Sequence, residues 1–314
     1  MAILGRDERT GVALAVGAVL LVGGSVAASR MVAGYPVLGG QGARYLVAGM
    51  LLAGWARLRG KSLVRPRGHE WAWLGGLAVV GQAGCSVLLI AATRVTDPAG
   101  VGVVIGAAPL VIVVASSLAA RRRPSGRILT AAVVVAAGVT AAQLAAAGGG
   151  PAWTPQGLLL SLGALAGVVG TTLFAAPLLP RLGALAATTY ASSLAGVTLL
   201  AAATLVGATH GEAVLRVPTP TELLALAYLA VAVTAVVFIA WYGAMERLGA
   251  QRTGLFNGLI PLTSLLAVAV TGTGTVTAVL VLGAAGILAG VVLGLTRGAG
   301  TAARSPSVAR RLDG

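Results

Sequence analysis

Few side chains in this sequence could do chemistry, and most of those lie inside long apolar stretches. Arg44 stands about seven residues into the stretch that opens at Val37, and no other arginine lies so far inside one. A guanidinium there attracts an anionic group such as a carboxylate, or bonds helix-end carbonyls and snorkels toward the surface. Gln82 and Ser86 fall one turn apart on a single helix face. Asn257 is a lone amide in an apolar run, and Tyr228, Trp241 and Tyr242 share one segment. These groups could line a solute path by hydrogen bonding, and the aromatics could equally form an interfacial belt. Covalent chemistry has no such support. His69 and His210 lie in separate polar stretches, Cys85 is the single cysteine, and no metal-ligand spacing or HExxH, CxxC or GxSxG context occurs. No metal, cofactor or enzymatic activity is expected. The acidic residues (Asp7, Glu8, Glu70, Asp97, Glu212, Glu222, Glu246 and Asp313) all map to loops or segment ends. No carboxylate is therefore expected deep inside an apolar segment.

The elements that must position these residues are membrane helices. The chain is 57% hydrophobic and 10% charged, against about 25% charged in soluble domains. Apolar runs of roughly 18 residues or more recur throughout, too long for membrane strands and without period-2 alternation. The pattern predicts an all-α polytopic membrane protein with ten transmembrane helices. They begin near Gly11, Val37, Trp71, Pro98, Ile128, Gly157, Gly183, Glu222, Thr253 and Val276. Residues 1–10 form a short N-terminal segment, 148–156 a Gly/Pro linker and 297–314 a basic tail.

The net charge of +14 is a topology signal. Of 22 basic residues, 18 fall on the side of the termini, and only Arg30, Arg94 and Arg216 on the other. Basic loops stay inside, so both termini are expected in the cytoplasm and the chain in the cytoplasmic membrane. Anionic lipid is an expected partner. Nucleic acid is not, because no basic domain interleaved with aromatics exists.

One unusual helix occurs twice. ATRVTDPAGVGVVIGAAPLVIVVASSLA, from Ala92, returns 152 residues later as AMERLGAQRTGLFNGLIPLTSLLAVAV, from Ala244. Gly102 falls on Gly254, Gly106 on Gly258, Pro109-Leu110 on Pro261-Leu262, and Arg94 on Glu246. Duplication divides the chain into units over 11–147 and 157–296. Each holds five helices. Five is odd, so the second unit enters the membrane inverted, the arrangement from which alternating access follows. Pro109 and Pro261 sit mid-helix and free the carbonyls of Ile105 and Asn257, so they are hinge or kink candidates. Gly286, Gly290 and Gly294 form a small-residue stripe for close packing, within the bundle or between two copies. A monomer or a homodimer fits equally.

The chain resembles the EamA-type permeases of the drug/metabolite transporter superfamily over about Gly11 to Leu295. The resemblance rests on Gln41-Gly42-Ala43-Arg44-Tyr45-Leu46, on Ala107-Ala108-Pro109-Leu110, and on Gly249-Ala250 through Ile260-Pro261-Leu262. It implies a central cavity between two EamA units and a small-molecule substrate, with export of amino acids or related metabolites. A non-transporting scaffold or sensor is the alternative. The second half departs from the pattern at Thr189-Tyr190, which stand at the place of Arg44-Tyr45.

Overall fold

A computed structural model of the protein describes residues 5–147, 152–211, 213–263 and 278–296. All regular structure among them is helical. In chain order the helices are α1 (Arg6–Met31), α2 (Val37–Leu58), α3 (Glu70–Val95), α4 (Pro98–Ala119), α5 (Gly126–Ala146), α6 (Pro155–Leu173), α7 (Leu179–His210), α8 (Pro220–Leu248), α9 (Ala250–Leu255) and α10 (Ala278–Leu295). Eight of these are long and apolar enough to cross a membrane. The exceptions are α9 and α2. At 22 residues α2 is long enough, but Gln41 and Arg44 lower its hydropathy. Beyond α9 a tight 3-10 turn, Phe256–Leu259, leads back into helix over 260–263. The expected continuation of that segment to Val270 lies outside the described residues, as do the first four residues of the linker (148–151) and the tail (297–314).

The helix starts follow from local chemistry. Asp97 accepts the Ala99 amide at 2.8 Å ahead of Pro98, Thr154 the Gly157 amide at 2.9 Å ahead of Pro155, and Thr219 the Glu222 amide at 3.3 Å ahead of Pro220. Each side chain satisfies an orphan donor of the first turn, and each proline sits where a missing N–H costs nothing. Expectation and structure differ at the seventh segment. The sixth ends at Leu173, and α7 starts at Leu179 rather than Gly183. Gly183 instead breaks α7, with φ 70 and ψ 167, a conformation that only glycine adopts readily. The helix resumes at Ala184, whose amide is capped by Glu246 Oε1 at 2.8 Å.

The duplication is physical as well as sequential. Helix α3 widens into a π-helical stretch at Leu77–Gly84, and α8 does the same at Leu229–Val236, 152 residues on. Glu70 accepts the Arg67 amide at 2.7 Å; 152 residues later Glu222 accepts the Thr219 amide at 2.8 Å. Each proline-bearing segment tightens just ahead of its proline. Before Pro109, Ala107 donates to the Val104 carbonyl at 3.1 Å. Before Pro261 lies the 3-10 turn, where the Ile260 amide reaches the Asn257 carbonyl. The Asn257 carbonyl thus finds a backbone donor three residues on, which answers the demand lipid makes of every backbone group.

Close packing relies on small residues. Helices α2 and α7 run antiparallel in contact, with Gly42 against Leu200, Leu46 against Gly196 and Gly49 against Ser193. A Cβ on Gly196 would come within 2.6 Å of the Leu46 amide nitrogen. Helix α10 lies along α5 in the same way. A Cβ on Gly290 would meet Val135 Cγ2 at 2.7 Å and the Ala131 carbonyl at 2.8 Å. Gly286 faces Gly138 at 3.7 Å, and Gly294 faces Leu255. The small-residue stripe of α10 therefore packs inside the bundle.

Candidate functional site

The polar residues of the interior converge where α2, α3, α7 and α8 meet. Arg44 turns its side chain across to α8, where Nε donates to Thr234 Oγ1 at 2.7 Å; Nη1 donates to Gln41 Oε1 at 2.9 Å. Its guanidinium also lies 5.0 Å from the centre of the Tyr45 ring, a cation–π contact. Thr234 belongs to the widened turn of α8, and its hydroxyl donates to the Leu229 carbonyl five residues back. The Tyr45 hydroxyl meets Ser86 Oγ at 2.7 Å and the Gln82 carbonyl at 3.3 Å. Gln82 occupies in α3 the position that Thr234 occupies in α8, so the two widened turns face one site from opposite halves.

The site contains more polar capacity than the protein itself satisfies. The Gln82 side chain is fully buried, yet neither its amide nitrogen nor its oxygen has a partner among the described residues. Tyr242 stands beside it, stacked on Phe238 at 5.7 Å; its hydroxyl lies within reach of the Gln82 amide but outside bonding geometry, and it has no other partner among the described residues. Ser192 and Thr188, one turn apart on α7, are likewise buried and unpaired. Such groups cost about 1–3 kcal/mol each when left unpaired, so a bound solute, ion or ordered water is expected to satisfy them.

A cavity of about 750 Å³ opens on the face opposite the termini. The turn between α1 and α2, the outer end of α3 and parts of α6 and α7 bound it. Its walls are mainly apolar, and Arg94 and Arg216 are its charged lining residues. Leu38 and Val87 line this cavity and also pack against the Tyr45, Ala78 and Ala83 cluster beneath it. They form a thin apolar floor between the cavity and the polar site.

The ends of the bundle are tied by arginines. At the face of the termini, Glu70 accepts two bonds from Arg181, which also donates to the Arg65 carbonyl at 2.8 Å. This joins the start of α3 in one half to α7 in the other. At the opposite face Glu222 accepts two bonds from Arg216. Arg216 lies 4.9 Å from the Tyr35 ring centre, and its carbonyl accepts the Tyr35 hydroxyl at 2.6 Å, which joins the halves there. The bonded carboxylate raises the Arg216 pKa further, so that side chain stays charged.

The remaining candidates from the sequence lie elsewhere. Trp241 is buried in the main apolar core with Leu182 and Met245. Tyr228 donates to the Leu21 carbonyl at 2.8 Å and joins α8 to α1. Asn257 donates to the Gly254 carbonyl at 3.3 Å, in a turn that packs against α1, α4, α5 and α10. Thr189 bonds the Leu185 carbonyl and Tyr190 meets the Trp71 ring edge-on, so the second half does not mirror the arginine site. Missing from the sequence reading were Tyr45, Thr234, Ser192, the Leu38–Val87 floor and both arginine ties. Thr234 alone carried a signal, since the 152-residue register pairs it with Gln82.

A duplicated bundle of helices long and apolar enough to cross a membrane defines a multi-pass membrane protein. The family itself follows from comparison. The model of the EamA-like transporter family matches residues 9–142 and again residues 155–296, and the chain belongs to that family. Its members transport small solutes and are not enzymes. A solved crystal structure is similar in fold, with a TM-score of 0.76 at 21% identity over 91% of this chain and 96% of its own. None of the curated proteins compared matches the sequence.

Proposed function

We propose that this protein exports small metabolites, amino acids or related solutes, across the cytoplasmic membrane by alternating access between two inverted five-helix repeats. In this reading ten helices cross the bilayer and both termini are cytoplasmic. The observation that carries it is the buried Gln82 and Tyr242, unpaired beneath a cavity open to one face. A solute bound there would supply the missing hydrogen bonds. In the conformation described, the cavity side is open, and the termini side is held shut by Glu70–Arg181 and the packing around Leu178, Leu182 and Met245. Passage requires the Leu38–Val87 floor to part and the Glu70–Arg181 tie to break.

The test uses proteoliposomes holding a Cys85→Ala, Glu70→Cys, Arg181→Cys variant and a panel of radiolabelled amino acids. A short thiol cross-linker should stop counterflow, and a reducible version should restore it on cleavage. Counterflow that persists with the halves cross-linked would overturn alternating access. No movement of any solute by the unmodified protein would instead favour a scaffold or sensor.

A further inference from the structure

We infer that the cavity between the α1–α2 turn, the start of α2, α3, α6 and α7 is a binding site for amphipathic anions, a single carboxylate or similar charge carried on a compact apolar body, with Arg94 as its charged anchor. The inference rests on the transporter reading, and it adds the class of solute.

Two guanidiniums line the cavity, and no lining residue carries a carboxylate. They are not equivalent. Arg216 is committed to Glu222 by two bonds. Arg94 is exposed at the cavity edge, and no hydrogen bond or ion pair engages it among the described residues. No carboxylate pairs with its charge among the described residues, and it faces walls formed by Val87, Ile90, Val95, Leu160 and Val206. Apolar walls concentrate the field of a nearby charge and give an apolar body something to bury against. At about 750 Å³ the space suits a small metabolite.

The duplication supplies an internal comparison. The position equivalent to Arg94 is Glu246, at the other end of the bundle. Glu246 has a structural task, since it caps the restart of α7 at Ala184. Arg94 has no such task among the described residues. The two ends thus present opposite charge at equivalent places, and only at the cavity end does this duplicated position offer a cation to an anion.

The experiment uses the full chain in phosphatidylcholine nanodiscs, with N-acetylleucine as the anionic probe and N-acetylleucinamide as its neutral match, titrated calorimetrically. N-acetylleucine should bind at least about tenfold more tightly than the amide and weaken as salt rises. Arg94→Gln should remove that preference, with an unchanged thermal unfolding profile. Nanodiscs containing phosphatidylglycerol identify the source of the anion. If they abolish binding to the unmodified protein and not to Arg94→Gln, a lipid headgroup is the natural occupant of the same anion site. Equal binding of probe and amide, or an undiminished preference in Arg94→Gln, would overturn the inference. Counterflow of neutral or zwitterionic amino acids by Arg94→Gln would in that case leave the transporter reading standing.

Discussion

Replacing Gln82 by methionine should make the protein more stable and less active, a combination that separates a binding site from ordinary packing. The Gln82 side chain is fully buried and both ends of its amide are unpaired. Leaving a polar group in that condition costs about 1–3 kcal/mol. In lipid the unfolded reference also finds partners, and measured interhelical bonds average only about 0.6 kcal/mol. A net gain of about 1–2 kcal/mol is therefore expected from methionine, which keeps the volume and drops the amide. At about 2–4 °C of Tm per kcal/mol, thermal unfolding in detergent should rise by roughly 2–8 °C. Counterflow should fall to background, because the amide is the group a solute would bond. Thr253→Val is the control. Its hydroxyl is also buried and unpaired, but on α9, which follows the C-terminal end of α8 and takes no part in the bonding around Arg44, Tyr45 and Gln82. It should stabilise without loss of transport. A Gln82→Met protein that is less stable, or one that transports normally, would refute the reasoning.

Arg44→Lys keeps the charge but cannot span Thr234 and Gln41 with one rigid fork. Counterflow should fall about tenfold, the equivalent of about 1.4 kcal/mol, while membrane insertion stays intact by fractionation. Gly290→Leu has no room, because the Ala131 carbonyl stands 2.8 Å from the new Cβ; overpacking should cost about 1–3 kcal/mol, read as a lower Tm. Transport of a neutral solute should stay flat between about pH 6 and pH 8, where carboxylates and arginines do not change charge. A steep profile in that assay would point to a titrating group that the described interior lacks.

The duplicated unit was legible in the sequence because it is written in residues with narrow backbone roles. Gly106 and Gly258 have space only for hydrogen where they meet Val139 and Val135, and Pro109 and Pro261 each follow a tightened turn. Arg44 was legible as an anomaly, a charge in an apolar run. Its partner was not, since Thr234 lies 190 residues away and looks like any other threonine in a helix. The Glu70–Arg181 tie spans 111 residues, and only the folded chain brings the pair together. Both widened turns were invisible because an extra residue in a uniformly apolar run leaves no mark on its spacing.

Those widened turns alter where the chain tolerates a change of length. A helix advances roughly 100° per residue, and each widened turn absorbs one residue beyond regular winding. One residue deleted between Leu77 and Gly84 is taken up by a return to regular helix, which leaves Ser86 and Arg94 on about their present faces. The same deletion within Cys85–Val95 has no such reserve and would swing everything beyond it by over a quarter of a revolution. Deletion scanning should therefore find 77–84 and 229–236 more forgiving than the regular turns on either side of them.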